Sequence, residues 1–201
     1  MFNKIEEIIV KESEAILNIP NRGFEEAIKF IFERIHVRGG KLILSGIGKA
    51  GQIANNIATT FCSTGTPAIF LHPTEAQHGD LGVIKGNDVL MILSNSGKTR
   101  ELIELVELTR TLVAPTYLPV IVITSDSESP LEKIASCVIL TGNPIEVCPL
   151  GLTPTTSTTV MSVIGDILVV LMMEKINFKA EDYYKRHHGG YLGEKSKNLI
   201  K

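Results

Sequence analysis

Residues 88–101, DVLMILSNSGKTRE, constrain the fold more than any other stretch. Val89 to Leu93 is an unbroken apolar run of the length of one buried strand. Ser94, Asn95, Ser96, Gly97 and Thr99 follow, and a helical pattern then opens with Leu102, Ile103, Leu105 and Val106. A strand, a tight polar loop and a helix start make an anion cradle. The first helical N–H groups lack partners, and the helix dipole favours negative charge there. Gly97 lets the backbone approach closely, and the hydroxyls of Ser94, Ser96 and Thr99 can each donate to a phosphate oxygen. The competing reading is that Ser94 and Ser96 only cap the helix. Four small polar side chains around a glycine exceed what a cap needs. Lys98 and Arg100 are expected in solvent, since the loop has donors enough.

Strand-then-helix units recur on both sides of this stretch. Strands are predicted over residues 41–45, 67–71, 89–93, 119–124 and 137–140. Helical patterns run through Ile53, Ile57 and Phe61, over 102–112, as a short turn at 131–135, and over 155–175. Alternation of this kind argues for an α/β fold with a five-stranded parallel, doubly wound sheet of flavodoxin-like order 2-1-3-4-5. Ligands bind such sheets where the strand order reverses, beyond the carboxyl ends of strands one and three. The loops there are residues 46–51 and 94–99, so two glycine loops distant in sequence are expected to share one crevice.

Two amphipathic helices, within residues 4–38, precede any strand. Their stripes are Ile5, Ile8, Ile9, Ala15 and Ile16, with glutamates and lysines opposite, then Phe24, Ala27, Ile28, Ile31, Phe32 and Ile35. They read as packing or oligomer elements. His36 is expected to be a helix C-terminal dipole partner or a surface residue. A polar tail over 179–201 carries a helical segment ended by Gly189-Gly190.

With 201 residues, one domain spanning 1–201 is the expectation. A net charge of −2 leaves no basic footprint for nucleic acid, and the absence of tryptophan leaves poor material for base stacking. The 3 cysteines, Cys62, Cys137 and Cys148, have no metal spacing and suggest a reducing, cytoplasmic compartment, with Cys148 a small buried residue. The first ten residues carry Lys4, Glu6 and Glu7 and do not form a signal peptide. The longest apolar run, 160–173, is broken by Asp166 and is too short to span a bilayer, so no membrane partner is expected.

Residues 46–51, GIGKAG, satisfy the dinucleotide fingerprint. That fingerprint wants an acidic residue at the end of the next strand, where this chain has Leu71-His72, and it leaves 94–99 without a reason. The loop reads better as one wall of a sugar-phosphate site, with Gly48 at the ligand and Lys49 facing it; an exposed helix-start lysine is the bland alternative. Residues 72–80, HPTEAQHGD, offer His72, Glu75, His78 and Asp80. The histidine spacing fits no common zinc site. General acid/base work suits His78, which titrates near neutrality. Asp80 either orients His78 or caps the next turn. In residues 146–160, EVCPLGLTPTTSTTV, the hydroxyls suffice to cap the long helix, whereas Glu146 follows the fifth strand and so lies on the ligand side of the sheet.

Together, SNSGKT, HPTEAQHGDLG, EVCPLGLTPTTSTT and HHGGYLG resemble the sugar isomerase (SIS) domain of arabinose 5-phosphate isomerases, from about Lys4 to Gly193. The resemblance implies a tetramer that interconverts D-ribulose 5-phosphate and D-arabinose 5-phosphate, without metal or cofactor. It implies catalytic roles for Lys49, His78, Glu101, Glu146 and His187, and substrate or phosphate contacts from Gly48, His72, Glu75, Ser94, Asn95, Ser96 and Thr99. It implies a product used for lipopolysaccharide or capsule. Four departures stand out, one of them a longer stretch over residues 113–118, expected to be a surface loop. Ala50 replaces a usual serine. His188 stands where a proline usually follows His187, which leaves open which histidine acts. The chain stops at Lys201, short of the pair of CBS domains of longer relatives. Aldose–ketose isomerisation passes through an enediol and needs a base, an acid and a phosphate anchor. Glu101 or Glu146 is the expected base, His78 or His187 its acid/base partner, and Lys49 the oxyanion stabiliser. The rival readings are a hexulose 6-phosphate isomerase, a non-catalytic phosphosugar sensor and a dinucleotide-binding domain.

Overall fold

The computed structural model describes residues 2–200. In chain order it runs α1 (Phe2–Leu17), α2 (Phe24–Ile31), β1 (Leu42–Gly46), α3 (Gly48–Ser63), β2 (Ala68–Phe70), α4 (Pro73–Ala76), β3 (Val89–Leu93), α5 (Arg100–Val113), β4 (Val120–Thr124), α6 (Pro130–Ile134), β5 (Cys137–Leu140), α7 (Thr156–Lys175), α8 (Ala180–Arg186) and α9 (Gly190–Leu199). A π-helical turn, Phe32–Val37, extends α2, and a 3-10 turn, Asp80–Val83, follows α4. The five strands form one sheet in the order β2-β1-β3-β4-β5, all neighbours parallel.

Alternation along each strand splits the core in two. Leu42, Leu44, Met91, Leu93, Ile121 and Ile123 face one side, under α2, α3 and α7. Ile43, Leu90, Ile92, Val120 and Val122 face the other, under α5 and α6. Both faces are covered, which is why β1, β3 and β4 read as continuous apolar runs. Helices α3 and α7 cross closely at Gly165, where an added Cβ would lie 2.4 Å from Ile57 Cγ1. A buried clamp closes the amino end of the sheet. Asp88, 1% exposed, accepts from Lys41 N at 2.9 Å, Lys41 Nζ at 2.7 Å and Lys85 N at 2.7 Å.

Three expectations need correction. His36 is neither a simple surface residue nor a dipole partner: its Nε2 lies 3.0 Å from Thr66 Oγ1 and its ring stacks on Phe32, and burial pulls its pKa down. Helical structure in the polar tail does not end at Gly189-Gly190. Helix α9 starts there and packs on α8, and Tyr183 sets its ring against Phe178 and His187. Tyrosine reads as polar in a pattern but buries its ring. Finally, α7 has 20 residues, so it is long and apolar enough to cross a membrane, although half of its most apolar window is buried in this fold. The N-terminal helices differ from each other. Helix α2 buries Phe24, Ala27 and Ile31, whereas α1 buries none of its residues and leaves Ile5 and Ile9 50% and 60% exposed.

Candidate active site

Where the strand order reverses, a cavity of about 350 Å³ opens at the carboxyl ends of β1 and β3. Its first wall is the loop after β3. Gly97 has φ +62, and a Cβ there would come within 2.2 Å of Ser129 Oγ, so only glycine fits. The Asn95 carbonyl ties this loop to the end of β4: it accepts from Ser125 N at 2.9 Å, Ser125 Oγ at 2.7 Å and Thr124 Oγ1 at 3.1 Å. Within the loop, Ser94 Oγ accepts from Gly97 N and Ser96 Oγ from Lys98 N, while the Ser94 and Thr99 hydroxyls lie 3.2 Å apart. Thr99 occupies the position before α5 yet makes no capping bond, and Ser94 and Ser96 bond to Gly97 N and Lys98 N, which precede α5, rather than to the helix. The first backbone donors of α5 are therefore left without a side-chain acceptor from Thr99. Lys98 pairs with Asp126 at 2.9 Å and Arg100 with Glu104 at 3.3 Å, both in exposed positions.

The second wall is the start of α3. Residues 46–51 are less of a loop than expected, because the helix begins at Gly48. Lys49, in its first turn, lines the cavity and is exposed. This helix start also lacks a side-chain cap.

The third wall is the segment from Glu146 into α7. Here the hydroxyl run does not do the capping. The Glu146 carboxylate does it: Oε2 accepts from Thr155 N at 2.7 Å, Thr155 Oγ1 at 2.9 Å and Ser157 N at 3.4 Å. Burial pushes its pKa up, but the hydrogen bonds from Ser157 and Thr155 outweigh that and hold it below the ordinary carboxylate value. The Thr158 hydroxyl reaches back to the Thr155 carbonyl at 2.8 Å, and the Thr159 hydroxyl lies between that carbonyl at 3.1 Å and the Glu12 carboxylate at 3.0 Å. Cys148 is half-buried rather than buried. Its Sγ accepts from Thr153 N and Leu152 N, each at 3.2 Å, and these backbone donors bring its pKa down to about 7.

The fold thus brings together Lys49, Ser94, Asn95, Ser96, Thr99 and Glu146 around one cavity. Gly48, His72, Glu75, His78, Glu101 and His187 do not line it. His72 caps α4, its Nδ1 accepting from Thr74 N at 3.3 Å. Glu75 and His78 are exposed, and Glu101 is half-buried in the first turn of α5. His187 stacks on Tyr183 at 4.0 Å with Nδ1 3.2 Å from the Tyr183 carbonyl oxygen. Asp80 opens the 3-10 turn and makes no capping bond. Sequence reasoning passed over Ser157 and Met161, which line the cavity from α7. Their i, i+4 spacing on one helix face was the available signal. Among the described residues, no three His, Cys, Asp or Glu side chains converge as a metal set requires.

A family model, the SIS domain, matches residues 35–171. The arabinose 5-phosphate isomerase KdsD of Yersinia pestis is 43% identical over 175 residues, covering 87% of this chain and 51% of that protein. The chain therefore spans about half the length of the curated relatives it matches. Among solved structures, a Bacteroides fragilis protein provisionally assigned as a phosphosugar isomerase involved in capsule formation is 57% identical, with a TM-score of 0.92; the match covers 95% of this chain and 99% of that one. An Escherichia coli protein solved in complex with arabinose 5-phosphate is 31% identical, with a TM-score of 0.84, over 92% and 96% of the two chains.

Proposed function

This chain belongs to the SIS-domain family, and from that premise we propose that it interconverts D-ribulose 5-phosphate and D-arabinose 5-phosphate through an enediol. The observation that carries the reading is the convergence of an uncapped, hydroxyl-rich helix start, Lys49 and Glu146 on one cavity. A relative named arabinose 5-phosphate isomerase and a relative bound to arabinose 5-phosphate supply the substrate class.

In this reading the helix start and the Ser94, Ser96 and Thr99 hydroxyls anchor the phosphate. Asn95 adds an acceptor, Oδ1, which is buried without a partner and would suit a sugar hydroxyl. Phosphate binding positions the two reacting carbons. Glu146 takes the carbon proton, and its lowered pKa keeps it ionised at neutral pH. Its place in the cavity favours it over Glu101. Lys49 stabilises the oxyanion of the enediolate.

The acid/base histidine comes from a neighbouring subunit. The exposed apolar face of α1 supports a homo-oligomer, which we take to be a tetramer. Exposed His78 and the half-buried His187 are the candidates to reach across. His72, Glu75 and Gly48 then act at the rim. The free cysteines suit the cytoplasm, and the product would feed lipopolysaccharide or capsule assembly.

The test is a coupled assay with ribulose 5-phosphate, fructose 6-phosphate and hexulose 6-phosphate. Turnover of ribulose 5-phosphate alone is expected. Turnover of only the hexulose, or binding of all three without turnover, overturns the proposal in favour of a different isomerase or a sensor. For the shared site, inactive His187→Ala and Lys49→Ala variants are mixed, unfolded and reassembled; activity should return in part. A silent mixture with proven subunit exchange refutes sharing through His187.

A further inference from the structure

Helix α1 buries no residue, yet one of its side chains reaches Thr156 and Thr159 in the first turn of α7, beside the Ser157 and Thr158 that line the cavity. Glu12 lies half-buried on the same face as Ala15 and Ile16. Its Oε2 accepts from Thr159 Oγ1 at 3.0 Å, and its Oε1 lies 3.5 Å from Thr156 Oγ1. Thr156 is 1% exposed, and its hydroxyl oxygen in turn accepts from Val147 N at 3.2 Å. A short chain of hydrogen bonds therefore runs from Val147 N–H through the Thr156 hydroxyl to the Glu12 carboxylate.

We propose that Glu12 is a positioning residue for the cavity, holding Glu146 in place through the Thr156 hydroxyl. The direction of one proton decides it. A threonine hydroxyl has one proton to donate and lone pairs to accept with. A carboxylate is the strongest acceptor within reach, so it draws that proton toward itself and leaves a lone pair facing Val147 N–H. Val147 adjoins Glu146, whose own carboxylate is held by Thr155 and Ser157. The main chain and side chain of Glu146 are thus fixed to α7 by separate bonds, and Glu12 orients the hydroxyl that fixes the main chain. Glu12 also brings a second carboxylate to the start of α7, where the helix dipole favours it. The phosphate loop, residues 94–99, shares none of these bonds.

The inference rests on the isomerase reading only in giving Glu146 a proton to move. The test therefore pairs a kinetic readout with one that needs no activity. Glu12→Ala, Glu12→Gln and, as a control on the same helix, Glu6→Ala are compared with the unaltered protein. Amide exchange is followed on peptides spanning residues 146–157 and on those from the sheet. In Glu12→Ala, exchange over 146–157 should rise roughly tenfold, the loss of about one hydrogen bond, with the sheet unchanged. Turnover of ribulose 5-phosphate should fall roughly tenfold, with KM moving less than about twofold, because ground-state phosphate contacts survive. Glu12→Gln keeps one acceptor oxygen for the two threonine hydroxyls and no charge, so it should recover part of both losses and fall between Glu12→Ala and the unaltered protein. Glu6→Ala should match the unaltered protein. Unchanged exchange over 146–157 in Glu12→Ala overturns the inference, as does faster exchange with unaltered turnover or acceleration spread evenly over the sheet. If the unaltered protein does not turn over ribulose 5-phosphate, the isomerase proposal fails, while the exchange data still judge whether Glu12 holds this segment.

Discussion

Glu146 is at once a helix cap and the candidate base, and the two roles separate in a pair of substitutions. Glu146→Gln keeps a carbonyl oxygen at the reach of Oε2, so the bonds from Thr155 and Ser157 can persist. What it loses is charge beside the start of α7, about 0.3–1 kcal/mol. In a chain of 201 residues that moves the melting temperature by only about 1–4 °C. Glu146→Ala removes the acceptor itself, about 0.5–2 kcal/mol, and should melt up to about 8 °C lower. Both losses are small beside a total stability of about 5–15 kcal/mol, so both variants stay folded at assay temperature. Their turnover should nevertheless fall by about 10²–10⁴, since neither side chain can take a proton. That drop corresponds to about 3–5 kcal/mol of barrier, more than the stability change of either variant. Thermal melts and turnover of ribulose 5-phosphate in deuterated water, with deuterium counted at the exchanging carbon, measure the two effects separately. The Glu146 carboxyl titrates below its unfolded value, so its stabilising effect is full above about pH 4–5 and fades as pH falls through the lower folded pKa. The melting difference between the unaltered protein and Glu146→Gln should close in acid. If Glu146→Gln turns over at close to the unaltered rate with deuterium exchange intact, Glu146 is a cap alone, and the proton transfer belongs to Glu101.

Ser96→Ala should raise KM by roughly tenfold while lowering turnover less, because a hydrogen bond to phosphate is made in ground and transition states alike; steady-state kinetics decide it. Gly97→Ala should cost at least ~1–2 kcal/mol for the left-handed backbone alone, and more from the collision with Ser129, seen as a lower denaturant midpoint together with weakened substrate binding. Asp88→Ala strands the Lys41 ammonium at the amino end of the sheet and should destabilise by about 3–5 kcal/mol in urea, yet leave turnover per folded molecule unchanged, since the cavity lies at the other end of the strands. His36 has a pKa below its unfolded value through burial, so its contribution is full above about pH 6.5 and is lost as pH falls. Melts between pH 7.5 and pH 5 should show that loss, and it should shrink in His36→Gln.

Much of the architecture was legible in the residues themselves. Five apolar runs of strand length, each followed by a polar turn, specify a sheet covered on both faces, and they specify the crevice where its order reverses. The loop after Leu93 was legible for the same reason: its residue types are demanded locally, by a glycine with positive φ and a helix start left open. Side chains whose partners lie far along the chain were not. Glu12 counted as one more glutamate on a solvated face, yet it accepts hydrogen bonds from Thr156 and Thr159, some 140 residues away. Glu146 was expected in the cavity, but its service as the cap of α7 depends on a bend that brings Thr155 back to it. His36 looked like a surface residue until Thr66 and Phe32 closed around it. Helix α9 went unread because Gly189-Gly190 signals a stop, and its stability comes from packing on α8, which no local pattern encodes. Local propensity and periodicity are written residue by residue, whereas a hydrogen-bond partner or a packed ring is chosen only when the chain folds back on itself.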